Sequence, residues 1–320
     1  MRKLCCVALL AACGALPGQV RIQPGDHKVE ITIDGKPFST FVYTPDAMKP
    51  YLYPLRAADG TIVTRGFPMQ KVPGETTDHP HHRGVFFAHS NVNGFDFWNN
   101  EHTYKTTNMG TIAVLKVTKA QSGKKSGEIE AEAEWRDPSG TPLLHETRRM
   151  VFTAAKNERI VDFDFELKAL KPVTFGDDKD GVFGMRLAPW LEAPGLKNQP
   201  TEPKRTLVMT NAEGARGEKD VWGKRSNWVD YSGETGGKQL GVAIFDNPGN
   251  PRHPTYWHAR EYGLFAANIF GVKSFTKDKT QDGSLQLKPG ETLHFRYRVV
   301  IHPGDAQAAK IAEQYASYAH

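Results

Sequence analysis

Four of the chain's twelve histidines fall within eleven residues: His79, His81, His82 and His89. They lie in Asp78-His79-Pro80-His81-His82-Arg83-Gly84 and the Val85-Phe86-Phe87-Ala88-His89 run behind it. Asn91-Val92-Asn93-Gly94-Phe95-Asp96-Phe97-Trp98 follows at once. A segment that only filled a core would not concentrate so many polar, titratable groups. Imidazole titrates near neutrality, so a modest change of surroundings makes it an acid or a base. His81, His82 and His89 are therefore candidates for proton transfer. Asp96, Glu146, Arg186 and His258 are candidate catalytic partners from other segments. Arg83 carries the forked donors that grip a carboxylate or a polarised carbonyl oxygen. Asn93 offers an amide, and Trp98 and Trp257 offer flat aromatic surfaces for a ligand.

Two other readings of the cluster stay open. Neutral imidazole is a common ligand for divalent metals, and His79, His81 and His82 form the candidate set. No His-Glu-x-x-His helix or Cys/His zinc pattern accompanies them, so the sequence specifies no cofactor, and a divalent metal stands only as an alternative. The plainer reading is that His79-Pro80 shapes a loop and Arg83-Gly84 bends it. Any one of these residues fits that reading, but the cluster does not, because several half-buried polar groups must all find partners. A non-catalytic binding protein is a further alternative. There is no Gly-rich phosphate loop, Gly-x-Ser-x-Gly elbow or dinucleotide fingerprint to support nucleotide or serine-hydrolase chemistry.

The elements that must position these residues read as strands. Ile129, Ala131, Ala133 and Trp135 alternate with Glu128, Glu130, Glu132 and Glu134, the pattern of a half-buried antiparallel strand. Val161, Phe163, Phe165 and Leu167 alternate with acids, and Leu293 to Ile301 with His294, Arg296 and Arg298. Asp34-Gly35 predicts a tight hairpin turn after Lys28 to Ile33. Leu240 to Phe245 and Gly263 to Phe270 are continuously apolar, as strands buried on both faces are. Pro80 predicts an extended His79. The one predicted helix runs from Asp305 to Tyr318, after Pro303-Gly304. Strand signals recur from Lys28 to Ile301 without a domain break, which predicts an all-β fold, a large antiparallel two-sheet sandwich with one C-terminal helix, spanning residues 20–320.

Lys and Arg number 41 against 36 Asp and Glu, for a net charge of +5, but the two signs are interspersed. No basic run or recognition motif points to nucleic acid. The three cysteines, Cys5, Cys6 and Cys13, all fall in the amino-terminal stretch, where Met1-Arg2-Lys3 precedes an apolar run to Leu16. That is the pattern of a secretory signal over residues 1–19, too short to span a bilayer, and no transmembrane segment is expected. Leu10-Ala11-Ala12-Cys13 also matches a lipobox, so the expected outcomes are cleavage near Ala15 or Gln19, or a lipid anchor on Cys13. Either implies export to the periplasm or beyond, as a free protein or an outer-membrane lipoprotein.

The string His79-Pro80-His81-His82-Arg83-Gly84, with Asn91 to Trp98 behind it, resembles the PmoA-like family of exported bacterial proteins. Asp246-Asn247-Pro248, Tyr256-Trp257-His258 and His302-Pro303-Gly304 extend the resemblance over nearly the whole mature chain. The family's "methane oxygenase" label does not suit a chain without an apolar run of membrane-spanning length. The resemblance implies a β-supersandwich similar to galactose mutarotase and a setting in carbohydrate breakdown. It carries over no established catalytic residue. The proton transfer it implies is on a sugar or glycan, of epimerase, lyase or hydrolase type, with a non-catalytic glycan-binding protein as the alternative. Trp98 and Trp257 are then expected as surfaces for the C–H face of a sugar ring.

Overall fold

The computed structural model describes residues 18–320. Most of the expected signal segment, including the lipobox at Cys13, lies outside the described residues; Gln19, its last residue, opens the first strand. Two large antiparallel sheets face each other. The first orders its strands Tyr256–Ala259, Leu264–Asn268, Gly181–Arg186, Val85–His89, Tyr51–Leu52, Lys36–Val42, Lys28–Ile33, Gln19–Gly25 and Gly123–Lys124. The second orders them Val208–Asn211, Trp228–Thr235, Lys238–Asp246, Thr292–Pro303, Arg159–Ala169, Pro142–Ala154, Ser126–Arg136 and Thr111–Gln121.

Alternation decides which side chains meet between the sheets. Ile129, Ala131, Ala133 and Trp135 are buried, while Glu128 pairs with Lys119 and Arg149 on the wet face. Asp162, Asp164 and Glu166 lie opposite Arg298, Arg296 and His294, so two strands present complementary charge outward and Phe163 and Phe165 inward. From the first sheet Phe87 stacks on Phe165 with centroids 4.0 Å apart, and Phe183 packs on Phe163 at 4.8 Å. Fully burying each such aromatic side chain contributes about 1.5–3 kcal/mol, so this inter-sheet layer is the main store of stability. The Asp34-Gly35 turn has both residues at positive φ, 53° and 73°, as a two-residue hairpin with right-twisted strands requires.

Three features depart from the sequence expectation. The terminal helix is regular only over Ile311–Tyr318; Lys310, at φ 54°, breaks it from the preceding turn. Ile311 and Tyr315 pack on Trp228, Phe245 and Val300, on the side of the second sheet away from the main core. Packing rather than periodicity thus sets the helix start. Two five-residue helices, Gly217–Val221 and Val272–Thr276, are too short to print an amphipathic period in the sequence. The third departure, at His79, belongs to the site. No helix of the described residues is long and apolar enough to cross a membrane.

Candidate active site

The histidine-bearing loop leads into the Val85–His89 strand, which pairs with Gly181–Arg186 on one side and Tyr51–Leu52 on the other. Gly84 makes this junction possible. Its φ is 55°, and a Cβ there would lie 2.0 Å from the carbonyl oxygen of Leu52. His79 is not extended as Pro80 predicts but left-handed, at φ 45°. Long-range contacts override the local preference. Arg65 donates to its carbonyl oxygen at 2.9 Å, and its Nδ1 lies 2.8 Å from a carboxylate oxygen of Asp78.

The loop's three rings pack on one another. His79 is parallel to His82 (centroids 5.0 Å, interplanar 1°) and to Tyr262 (5.3 Å, 5°). His81 meets His82 edge-on at 4.3 Å. Beneath them Asp78 is gripped by two fully buried guanidinium groups, Arg65 at 2.5 Å and Arg186 at 3.0 Å. Burial opposes the charge on Asp78, but the bond from His79 and the charges of Arg186 and Arg65 outweigh it and hold the carboxyl far below the usual range. The Arg186 guanidinium also lies 4.8 Å over the Tyr262 ring, and burial pushes that phenol up to about 12.

His81 is 4% exposed, with Nδ1 3.0 Å from the hydroxyl of Tyr104. Burial, helped by the positive charge of Lys49 and His79, pushes its imidazole down to about 2, so the ring is neutral at ordinary pH. Burial and the neighbouring His81 and Arg186 hold His82 well below its ordinary value too. Neither ring's Nε2 has a protein partner among the described residues, and His82 is 1% exposed. The Tyr104 phenol is raised by burial and by Glu101, which keeps it protonated. Lys49, fully buried, donates to the Trp98 carbonyl and to Asn100 Oδ1; burial and Arg83 push it down to about 7. A depression of about 450 Å³ opens beside Asp78, lined by Glu75, Thr76, Lys197 and Asn198 among others.

Arg83, expected to hold a substrate carboxylate, instead donates twice to Glu101, at 3.0 and 2.7 Å. Glu101 accepts a turn bond from the amide of Tyr104, so the pair fixes the tyrosine-bearing loop to the histidine loop. Of the residues singled out in the sequence, His79, His81, His82, Arg83 and Arg186 come together. The others do not. His89 faces away, with Nε2 2.8 Å from the Gly176 carbonyl and its ring against Phe270. His258 shares the outer face of the first sheet with Phe86, through the row Phe86, Gly184, Ala266, His258, but three strands off, about 14 Å at ordinary strand spacing. Its Nδ1 lies 3.0 Å from the Lys179 carbonyl.

The remaining candidates hold the fold. Asp96 accepts the amides of Trp98 and Asn99 and caps that turn. Asn93, at φ 54°, bridges to Pro172 and Thr174. Glu146 is buried in the second sheet, where it accepts from Trp135 at 2.7 Å and pairs with Arg148. Trp98 and Trp257 are fully buried, Trp98 against Phe86 and Trp257 with its Nε1 bonded to the Ser226 carbonyl, so neither offers a platform to a ligand. Sequence reasoning missed Arg65, Asp78, Tyr104, Tyr262 and Lys49. Only Asp78 adjoins the histidines in sequence; nothing local marks the rest. No three His, Cys, Asp or Glu side chains among the described residues are grouped so as to hold a metal ion.

The chain is thus an antiparallel two-sheet β protein with a site of packed imidazoles, buried arginines and tyrosines. The site lies where the loop before Val85–His89 meets the Arg186 end of Gly181–Arg186, two interior strands of the first sheet. Residues 28–316 match a family described as a family of unknown function (DUF6807), and the chain belongs to that family. No curated protein matches the sequence. Among solved structures, it is similar to a galactose mutarotase-like protein from Clostridium acetobutylicum (10% identity, TM-score 0.45, covering 89% of this chain and 98% of that one). It is also similar to a putative aldose 1-epimerase from Escherichia coli K12 (11% identity, TM-score 0.38, 89% and 99%). A GH36 α-galactosidase, AgaB, from Geobacillus stearothermophilus matches at 9% identity and TM-score 0.43; 91% of this chain is covered, but only 42% of that enzyme's length. At such identities the likeness is one of fold alone.

Proposed function

We propose that the protein is a carbohydrate-active enzyme in which His81 and Tyr104 move protons on a sugar, and that its first reaction is opening of a hemiacetal ring. The observation that carries this reading is the 3.0 Å contact between His81 Nδ1 and the Tyr104 hydroxyl, made by an imidazole that burial keeps neutral. In the tautomer with the proton on Nδ1, Nε2 is a free base. It takes the proton of the anomeric hydroxyl while the Tyr104 hydroxyl gives its proton to the ring oxygen. The bond from the anomeric carbon to the ring oxygen breaks and the carbonyl forms. The phenolate then takes the Nδ1 proton, leaving His81 as the Nε2–H tautomer, ready for the reverse reaction on either face. The buried guanidinium groups of Arg65 and Arg186, and Lys49 in its protonated form, favour the negative charge that develops on oxygen. The same pair would serve epimerisation or elimination on a uronate.

In this reading the PmoA-like resemblance stands as a proposed kinship without methane chemistry. The charged head and apolar run of Met1 to Leu16 support work outside the cytoplasm, by way of a cleaved leader or a lipid on Cys13. The test is a panel of aldoses, uronates and oligosaccharides followed by NMR for anomer exchange and by mass for bond cleavage. His81→Ala and Tyr104→Phe should each cut turnover by about 100-fold or more and leave the melting temperature within a few degrees of the parent. Tight binding of a sugar with no product over long incubation would replace the enzyme with a glycan-binding protein.

A further inference from the structure

A second cavity, of about 320 Å³, lies on the outer face of the second sheet, opposite the face of the sandwich that carries the histidines. Its floor is formed by the strands Val208–Asn211 and Trp228–Thr235, whose register sets Val208 against Ser232 and Thr210 against Asp230. The segment from Asp305 and the terminal helix roof it. Two observations show that the space is suited to a ligand. Ser232, 1% exposed, lines it with a hydroxyl that, like the neighbouring Asp230 Oδ1, has no hydrogen-bond partner within 3.5 Å among the described residues, and a buried polar atom left unmatched costs free energy. Arg216, an exposed residue held over the floor by its backbone bridge to Thr210, also lines it, and its guanidinium has no protein partner among the described residues.

The lining narrows the ligand by elimination. An anion would face the carboxylates of Asp305 and Glu313, and a cation would face Arg216. An apolar guest would leave the Ser232 and Thr210 hydroxyls unmatched. A neutral polyol ring fits all three constraints. Its C–H face would lie along Trp228, and its hydroxyls would meet the planar carboxylates, the guanidinium and the two hydroxyls around the rim. The volume falls within the range of small-molecule pockets, about 300–1,000 Å³. We propose that this cavity is a saccharide-binding subsite for a neutral pyranose unit, separate from the histidine site, which anchors a glycan to the second sheet. The inference does not depend on the histidine site being catalytic.

The experiment is saturation-transfer NMR on the whole protein with D-glucose, D-galactose and N-acetyl-D-glucosamine, with dissociation constants taken from titration. Single monosaccharides held this way bind in the range of about 1 mM. Two variants remove the subsite without touching the histidines. Ala312→Trp plugs the mouth from an exposed helical position, and Arg216→Ala strips the rim. The expected result is transfer to ring C–H protons of at least one sugar, weakened about 10-fold or more by each variant, with turnover by the histidine site unchanged. Should Ala312→Trp fail to fold, Arg216→Ala carries the test. Binding that neither variant alters, or no binding of any of the three sugars, overturns the proposal. Variant-sensitive binding in a protein that turns over no sugar would uphold the subsite and refute the enzyme.

Discussion

Acidification should destabilise this protein through its buried histidines. His81 and His258 are pushed down to about 2 and about 3, and His82 well below its ordinary value of 6.5, in each case first by burial. Below pH 6.5 the unfolded chain therefore binds protons that the native state refuses. Stability falls as pH falls, at up to about 1.4 kcal/mol per pH unit for each ring. Integrated from neutrality to about pH 5, each ring costs about 2 kcal/mol and the three together about 6 kcal/mol. A domain with about 5–15 kcal/mol of total stability would lose much or all of it over that range. His302 does not offset this. Its pairing with Asp230 at 2.7 Å outweighs burial and raises it, so its contribution is already complete below 6.5 and is lost only as pH rises through the raised value. The assay is urea unfolding at a series of pH values, with His82→Phe beside the parent. The substitution keeps a ring against Phe86 and His79 and removes one titrating group. The drop between neutrality and about pH 5 should shrink by about 2 kcal/mol in the variant. A parent whose stability is flat over that range, or a variant that falls as steeply, would show that the rings protonate in the folded state. His81 would then not be the neutral base the mechanism needs.

Other outcomes follow from single contacts. Gly84→Ala places a methyl 2.0 Å from the Leu52 carbonyl at a φ of 55°; it should sharply lower the melting temperature, and a normal melt with full activity would contradict the geometry. Arg83→Ala frees Glu101 and so the loop bearing Tyr104. We expect turnover to fall about 10- to 100-fold through kcat rather than KM, since neither residue is assigned a substrate contact. Glu146→Ala, which strands the buried Arg148, should cost about 3–5 kcal/mol in chemical denaturation without changing the sugars recognised. His302→Ala should abolish any stability lost between neutrality and alkaline pH through the Asp230 pair, measured by the same urea series.

The two-sheet architecture was legible because it is written as alternation. In Glu128 to Trp135 and Arg159 to Leu167 every second side chain is apolar, and a pleated strand turns that period into one buried face. The Asp34-Gly35 hairpin was legible for a similar reason, since its conformation depends on two adjacent residues. The heptapeptide was legible as a site because its density of titratable groups is a local property. What those groups do was not. Proximity in sequence suggested His89, yet the period-two pleat turns its side chain to the face that carries Phe87, away from His82. Tryptophans read as platforms proved to be core, because a strand's face is chosen by the sheet it packs against. Asp78 meets Arg186 from 108 positions away, and Tyr104 meets His81 across 23. Hydrophobic period encodes which face is buried, not which distant polar group arrives to satisfy it. Only tertiary packing decided that His81 is desolvated, neutral and paired with a phenol, because desolvation and hydrogen bonding are set by every segment that closes over a residue rather than by its neighbours in the chain.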